Sequence, residues 1–176
     1  MITMLLVHPG ALAAQFAPDT LAVVKTRLPV AAWVAFGAGP GTVSGSSTGL
    51  LAGAARVNLS VGAMLLTART SEVGPVFSAG PRVRDNALLA GLRSADRRVF
   101  ATGAVGVASA QRVRDGTTSC GPAQDCPRVT ALTWDVGFHA NYIVPGISAS
   151  WSGVGGAGSV SYSAFSLAVE LGWFGR

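Results

Sequence analysis

His139 is the side chain best suited to chemistry in this sequence, because the chain has two histidines and the other, His8, lies in an apolar N-terminal stretch. An imidazole can act as a general base when a serine and a carboxylate flank it. Asp135 precedes His139 by four residues, roughly 13 Å along an extended chain at about 3.3 Å per residue, so the two do not bond as neighbours on one strand. A triad would have to draw its hydroxyl and its acid from other segments, such as Ser150 or Glu170. The stronger expectation for His139 is an inward polar side chain satisfied by its neighbours. Cys120 and Cys126 enclose the turn-rich run Gly121-Pro122-Ala123-Gln124-Asp125, where a short disulfide is geometrically easy. Such a bridge needs an oxidising compartment. A metal site and two free thiols are the rival readings, and the absence of a nearby histidine counts against the metal. The runs Gly37-Ala38-Gly39-Pro40-Gly41 and Gly153-Val154-Gly155-Gly156-Ala157-Gly158 lack the lysine, the Ser/Thr and the following helix of a phosphate loop, and they read as loop tips. No cofactor is expected.

These residues must be positioned by strands. From Phe165 to Trp173 the chain alternates with a period of two: Phe165, Leu167, Val169, Leu171 and Trp173 fall on one face, and Ser166, Ala168, Glu170 and Gly172 on the other. Apolar residues make up 49% of the 176-residue chain and charged residues only 12%, about half the share of an ordinary soluble domain. No run of about 20 apolar residues offers a membrane-spanning helix. A chain of this kind enters a bilayer only as strands, which must close on themselves because lipid leaves unpaired backbone groups without a partner.

Eight strands are expected: Val30 to Gly39, Leu50 to Leu59, Val61 to Thr70, Asp85 to Ser94, Arg98 to Ala110, Val129 to Tyr142, Gly146 to Val154 and Val160 to Trp173. Tight turns fall at Ser60, Ala95-Asp96-Arg97 and Ile143-Val144-Pro145, while Gly/Ser/Pro-rich loops join the other ends. The fold class is therefore all-β, an eight-stranded antiparallel up-and-down transmembrane β-barrel with short periplasmic turns and longer outer loops. Residues 30–176 form the barrel. Residues 1–14 read as a signal peptide with a small-x-small site at Ala11-Leu12-Ala13, although Pro9 interrupts it and no basic residue precedes it. Residues 15–29 form a periplasmic lead-in.

Alternation places Arg56, Arg69, Arg93, Asp135, His139 and Glu170 on the inward face. Eight strands leave an interior just wide enough to be filled by side chains, where these charges must pair with one another. Trp33, Trp134, Tyr142, Trp151, Tyr162 and Trp173 fall near strand ends and are expected to form an aromatic girdle. Met64-Leu65-Leu66 and Leu88-Leu89 interrupt the pattern, through inward-pointing leucines or a shifted register. Lys25 is the only lysine, and the arginines are scattered without a basic stripe, which argues against a nucleic-acid partner.

With these features the chain resembles the small eight-stranded outer-membrane barrels of Gram-negative bacteria, the class that includes OmpA-type transmembrane domains. The resemblance covers Val30 to Arg176. The run Phe165 to Phe174 is similar to the C-terminal signal read by the barrel-assembly machinery, except that Gly175 and Arg176 follow the aromatic residue. The resemblance implies an outer-membrane location and a structural or interaction role, with loops presented to the exterior. The partners expected are outer-membrane lipid and lipopolysaccharide, the assembly machinery, and a protein at the outer loops. Arg82, Arg84, Arg112, Arg114 and Arg128 flank those loops and could pair with lipid phosphates. Two alternatives stand beside this reading. One is a soluble barrel that binds an apolar ligand. The other is a lipid-modifying enzyme: outer-membrane lipid A deacylases are similar in size and use a His-x-Ser pair, but this chain reads His139-Ala140-Asn141.

Overall fold

The structure is a computed structural model and describes residues 28–45, 49–75, 82–113, 127–141, 145–156 and 160–174. The eight strands are β1 (Val30–Val43), β2 (Leu50–Val61), β3 (Met64–Gly74), β4 (Arg82–Arg93), β5 (Val99–Val113), β6 (Val129–Ala140), β7 (Gly146–Gly155) and β8 (Tyr162–Trp173). Each pairs antiparallel with the next, and β8 returns to β1, so the sheet is a closed up-and-down barrel. Closure leaves no edge strand, which satisfies backbone groups that lipid could not.

Small β-branched and aromatic residues at a period of two make these strands, and that period sorts the side chains into two environments. Outward positions carry Leu132 (73% exposed), Leu88, Val105 and Leu167, whereas inward positions carry small, polar and charged residues together with a few large apolar ones such as Trp33 and Phe100. The irregular leucines obey the same rule. Leu65 and Leu89 point inward, while Met64, Leu66 and Leu88 point outward.

Three short connections, at residues 62–63, 94–98 and 141–145, lie at one end; the longer ones, at 44–49, 75–81, 114–128 and 156–161, lie at the other. The first tight turn is at Gly62-Ala63 and not at Ser60, which is fully buried inside β2. Gly62 has φ +61°, a conformation a glycine adopts without a side-chain clash, and it restricts the hairpin loop to two residues. In the second turn the Asp96 carboxylate accepts the N–H groups of Arg98 (2.8 Å) and Val99 (3.1 Å), which hold its pKa below the usual carboxylate range.

Several strands run further toward the long loops than glycine and proline content implies. Pro40 to Val43 belong to β1, Ser71 to Gly74 to β3, and Arg82 to Arg84 to β4. Pro40 is tolerated because the β1–β8 ladder is interrupted at Gly39 and Pro40, where an N–H donor is not needed. Residues 1–27, which include the expected signal peptide and most of the lead-in, lie outside the described residues, as do Cys120, Cys126 and Tyr142.

Candidate functional site

The polar interior is the place where chemistry could occur. It is built in layers from the long-loop end to the short-turn end. Val43, Val73, Val83, Val154 and Val160 form an apolar lid at the long-loop end, all 5% exposed or less.

Beneath the lid lies Asp85. Its Oδ2 accepts Arg69 Nη2 at 2.9 Å, and its Oδ1 accepts the Tyr162 hydroxyl at 2.7 Å and the Ser71 hydroxyl. Arg69 Nη2 also reaches Thr133 Oγ1 at 2.7 Å, and its Nη1 donates to the Trp134 carbonyl at 3.1 Å. Asp135 joins this layer to the next, because its Oδ2 accepts Arg56 Nε at 2.8 Å and Arg69 Nη1 at 3.4 Å.

The third layer belongs to His139. Its Nδ1 lies 2.7 Å from Glu170 Oε1 and its Nε2 lies 2.9 Å from Thr102 Oγ1, with the Phe100 ring stacked on the imidazole at 4.5 Å. Gly137 makes this geometry possible. A Cβ at that position would stand 2.6 Å from His139 Nε2 and 2.8 Å from Thr102 Oγ1. Gly137→Ala is therefore expected to push the imidazole off Thr102 and to cost about 1–3 kcal/mol, as overpacking usually does. Urea unfolding of the detergent-folded barrel measures this, and wild-type stability would contradict the packing described.

At the short-turn end Arg93 lies over the Phe100 ring, 4.0 Å from its centroid, and 5.6 Å from that of Trp33. Its Nη1 donates to Ser60 Oγ at 3.2 Å. Phe174 turns inward and packs on Trp33 (5.7 Å) and Phe100 (6.2 Å), which closes that end with aromatic rings.

All six residues assigned to the interior by alternation, Arg56, Arg69, Arg93, Asp135, His139 and Glu170, lie on the inner wall. They fall into separate clusters and not into one network. Asp85 and Tyr162 complete the first cluster and had no such role in the sequence reading. Both could have been found by parity: Asp85 shares the face of Arg93, and Tyr162 shares the face of Glu170. Tyr162 is therefore no girdle residue. Trp33 is corrected likewise. It is 2% exposed and faces inward, because it shares the parity of Ala31 and Ala35. On the outer wall Trp134 and Trp151 pack edge-to-face at 5.0 Å, and Trp173 stands at the short-turn end of β8.

Thr102, His139 and Glu170 have the hydrogen-bond connectivity of a nucleophilic triad. Ser150 takes no part, since it bonds Ser166 at 2.8 Å. The void beside them, lined by Asn58, Thr102, Asp135, His139 and Glu170 among others, has a volume of ≈ 10 Å³. That is the space of about one water molecule and does not admit an ester or an acyl chain. Among the described residues no group of three His, Cys, Asp or Glu side chains could hold a metal ion.

No protein-family model matches the sequence, and no curated protein matches it. Among solved structures the chain is similar to Ail, the attachment invasion locus protein of Yersinia pestis. The TM-score is 0.53 at 11% identity, over 82% of this chain and 99% of Ail. The same outer membrane protein in a phospholipid bilayer nanodisc gives a TM-score of 0.50 at 12% identity, over 81% and 99%. Neisserial surface protein A gives 0.54 at 10% identity, over 83% of this chain and 97% of that one. The chain thus has the closed eight-stranded fold of small outer-membrane β-barrels.

Proposed function

We propose that the protein is an outer-membrane barrel with a structural or interaction role, whose filled interior carries no solute and whose wall holds the long loops at the cell exterior. One observation carries this reading: the wall is turned inside out relative to a soluble barrel. Leu132, Val105, Leu167 and Phe138 are each more than half exposed, whereas Arg69, Asp85 and Glu170 are 3% exposed or less. Exposing the first group to water and sequestering the second is unfavourable on both counts, and a bilayer reverses only the first. The pairing of the inner charges offsets the second.

A soluble carrier needs an interior space for its ligand. Valines fill the long-loop end and aromatic rings the other, and the void between them fits about one water. The same absence of space beside Thr102 supports a non-enzymatic role.

The remaining proposals follow from this one. Outer-leaflet lipid and lipopolysaccharide are the partners of the wall near the long loops. A Cys120–Cys126 bridge closes the longest loop. The β8 strand, with Trp173 outward, is the segment offered to the assembly machinery.

The test is refolding of the chain in detergent micelles and in plain buffer, followed by gel mobility with and without heating. A heat-modifiable, β-rich species only in detergent is expected, and after reconstitution into planar bilayers it should show no steady conductance. A β-rich monomer in buffer would overturn the membrane reading; stepwise conductance would overturn the closed interior.

A further inference from the structure

Among the described residues Glu170 is the inner carboxylate without an arginine at ion-pair distance. Asp85 takes Arg69, and Asp135 takes Arg56 and Arg69, whereas Glu170, 0% exposed, has only His139 Nδ1 on its Oε1 at 2.7 Å. Its Oε2 is buried and has no partner among those residues. An ionised carboxylate offers about four acceptor sites, and a buried one left with a single hydrogen bond is costly. A second orphan lies on β2. Asn58 is buried; its Oδ1 accepts the Thr67 hydroxyl at 2.8 Å, while its Nδ2 has no partner among the described residues.

Both residues line the same void of ≈ 10 Å³. Most other hydrogen-bonding groups around it are already engaged: Arg56 with Asp135, Thr67 with Asn58, Thr102 with His139, and Ser150 with Ser166. On the β1 side Ala35 stands between Arg56 and Glu170 in the ladder, and its methyl group offers no hydrogen bond. The side chains thus leave one donor and one acceptor beside a space the size of one water.

An occupant that satisfies both must accept a hydrogen bond from Asn58 and donate one to Glu170. A metal cation supplies no lone pair to the amide. An anion would meet two carboxylates, Asp135 and Glu170, on the wall of the void. We infer that the void is a hydration site, holding one water molecule between Asn58 Nδ2 and Glu170 Oε2. This water joins β2 to β8 behind β1, with which both strands pair. The His139–Glu170 hydrogen bond already joins β6 to β8 behind β7, so Glu170 becomes the point where three strands that are not neighbours meet. Buried water with polar partners is a fixed part of a structure and costly to remove. The inference goes beyond the membrane role and holds whatever the loops bind.

The full chain, folded in detergent or in buffer if it folds there, is crystallised. One isolated water peak is expected within about 2.7–3.2 Å of both Asn58 Nδ2 and Glu170 Oε2. In Asn58→Leu, which keeps the side-chain shape and removes the donor, the peak should disappear. Thallium soaking of wild-type crystals should add no anomalous signal there. The same site is read in solution by labelling asparagine with nitrogen-15, since Asn58, Asn86 and Asn141 are the asparagines of the chain. The Asn58 side-chain amide should show cross-relaxation with a rigidly held water, and the outward Asn86 amide should not. That measurement needs no variant, so it decides the matter if Asn58→Leu fails to fold. The site is overturned by a void without density, by an anomalous cation peak, or by a direct Asn58–Glu170 hydrogen bond in place of water. A water peak that persists in Asn58→Leu, or an Asn58 amide without a water cross-peak, overturns it equally.

Discussion

Arg69→Ala should be the most damaging single change in the barrel, with a loss of about 3–5 kcal/mol, the usual consequence of removing one partner from a buried ion pair. Arg69 and Asp85 are both fully buried at the side chain, 2.9 Å apart. Without the guanidinium, Asp85 keeps only the hydroxyls of Ser71 and Tyr162, and a lone carboxylate remains inside a closed wall. Asp135 suffers less, because Arg56 still holds it at 2.8 Å. The double change Arg69→Met/Asp85→Leu should recover much of the loss, since an apolar pair carries no desolvation penalty. Urea titration of the heat-modifiable band gives both values. A loss below about 1 kcal/mol for Arg69→Ala would mean that the cluster contributes little.

The second large effect separates lipid from water as the surroundings of the outer wall. Leu167 lies at the middle of β8, 64% exposed, opposite Ala38 on β1 and Ala149 on β7. Leu167→Arg should destabilise the bilayer-folded barrel by about 2–4 kcal/mol, the cost of a cation at midplane depth. On a water-facing wall the same change would fall within roughly 0.5 kcal/mol of zero. Unfolding in liposomes gives the number. The small value would reject the membrane setting whatever the gel mobility shows.

Strand number and barrel closure were legible because alternation is a local property that no tertiary contact overrides in a two-faced wall. The long-loop ends were not. Glycine and proline near residues 39–41 suggest a break, but a closed barrel extends pairing through such residues when the neighbouring strands are already held in register. The inner cluster was half legible for the same reason. Arg69, Asp135 and Glu170 sit mid-strand, where parity is unambiguous, while Asp85 sits near the end of a strand whose start was set too late. Trp33 and Tyr162 were misplaced because residue type was allowed to outweigh parity: an aromatic near a strand end suggested the interface, although its own strand turned it inward. What no sequence pattern reveals is partner choice across the lumen. His139 meets Glu170 from β8 and Thr102 from β5, a contact set by barrel diameter and by the missing side chain at Gly137.

The inner charges are also unevenly divided along the chain. Among the described inward residues, β1 to β4 carry Arg56, Arg69 and Arg93 against Asp85, a balance of +2, whereas β5 to β8 carry Arg112 against Asp135 and Glu170, a balance of −1. The two halves of the polypeptide thus carry inner charge of opposite sign, and their union cancels most of it. A half-built sheet exposed to hydrocarbon would carry uncompensated charge, a state too costly to populate. The lumen therefore rewards only completed assemblies: nascent halves attract each other electrostatically, and a truncated chain has no lipid-compatible resting form.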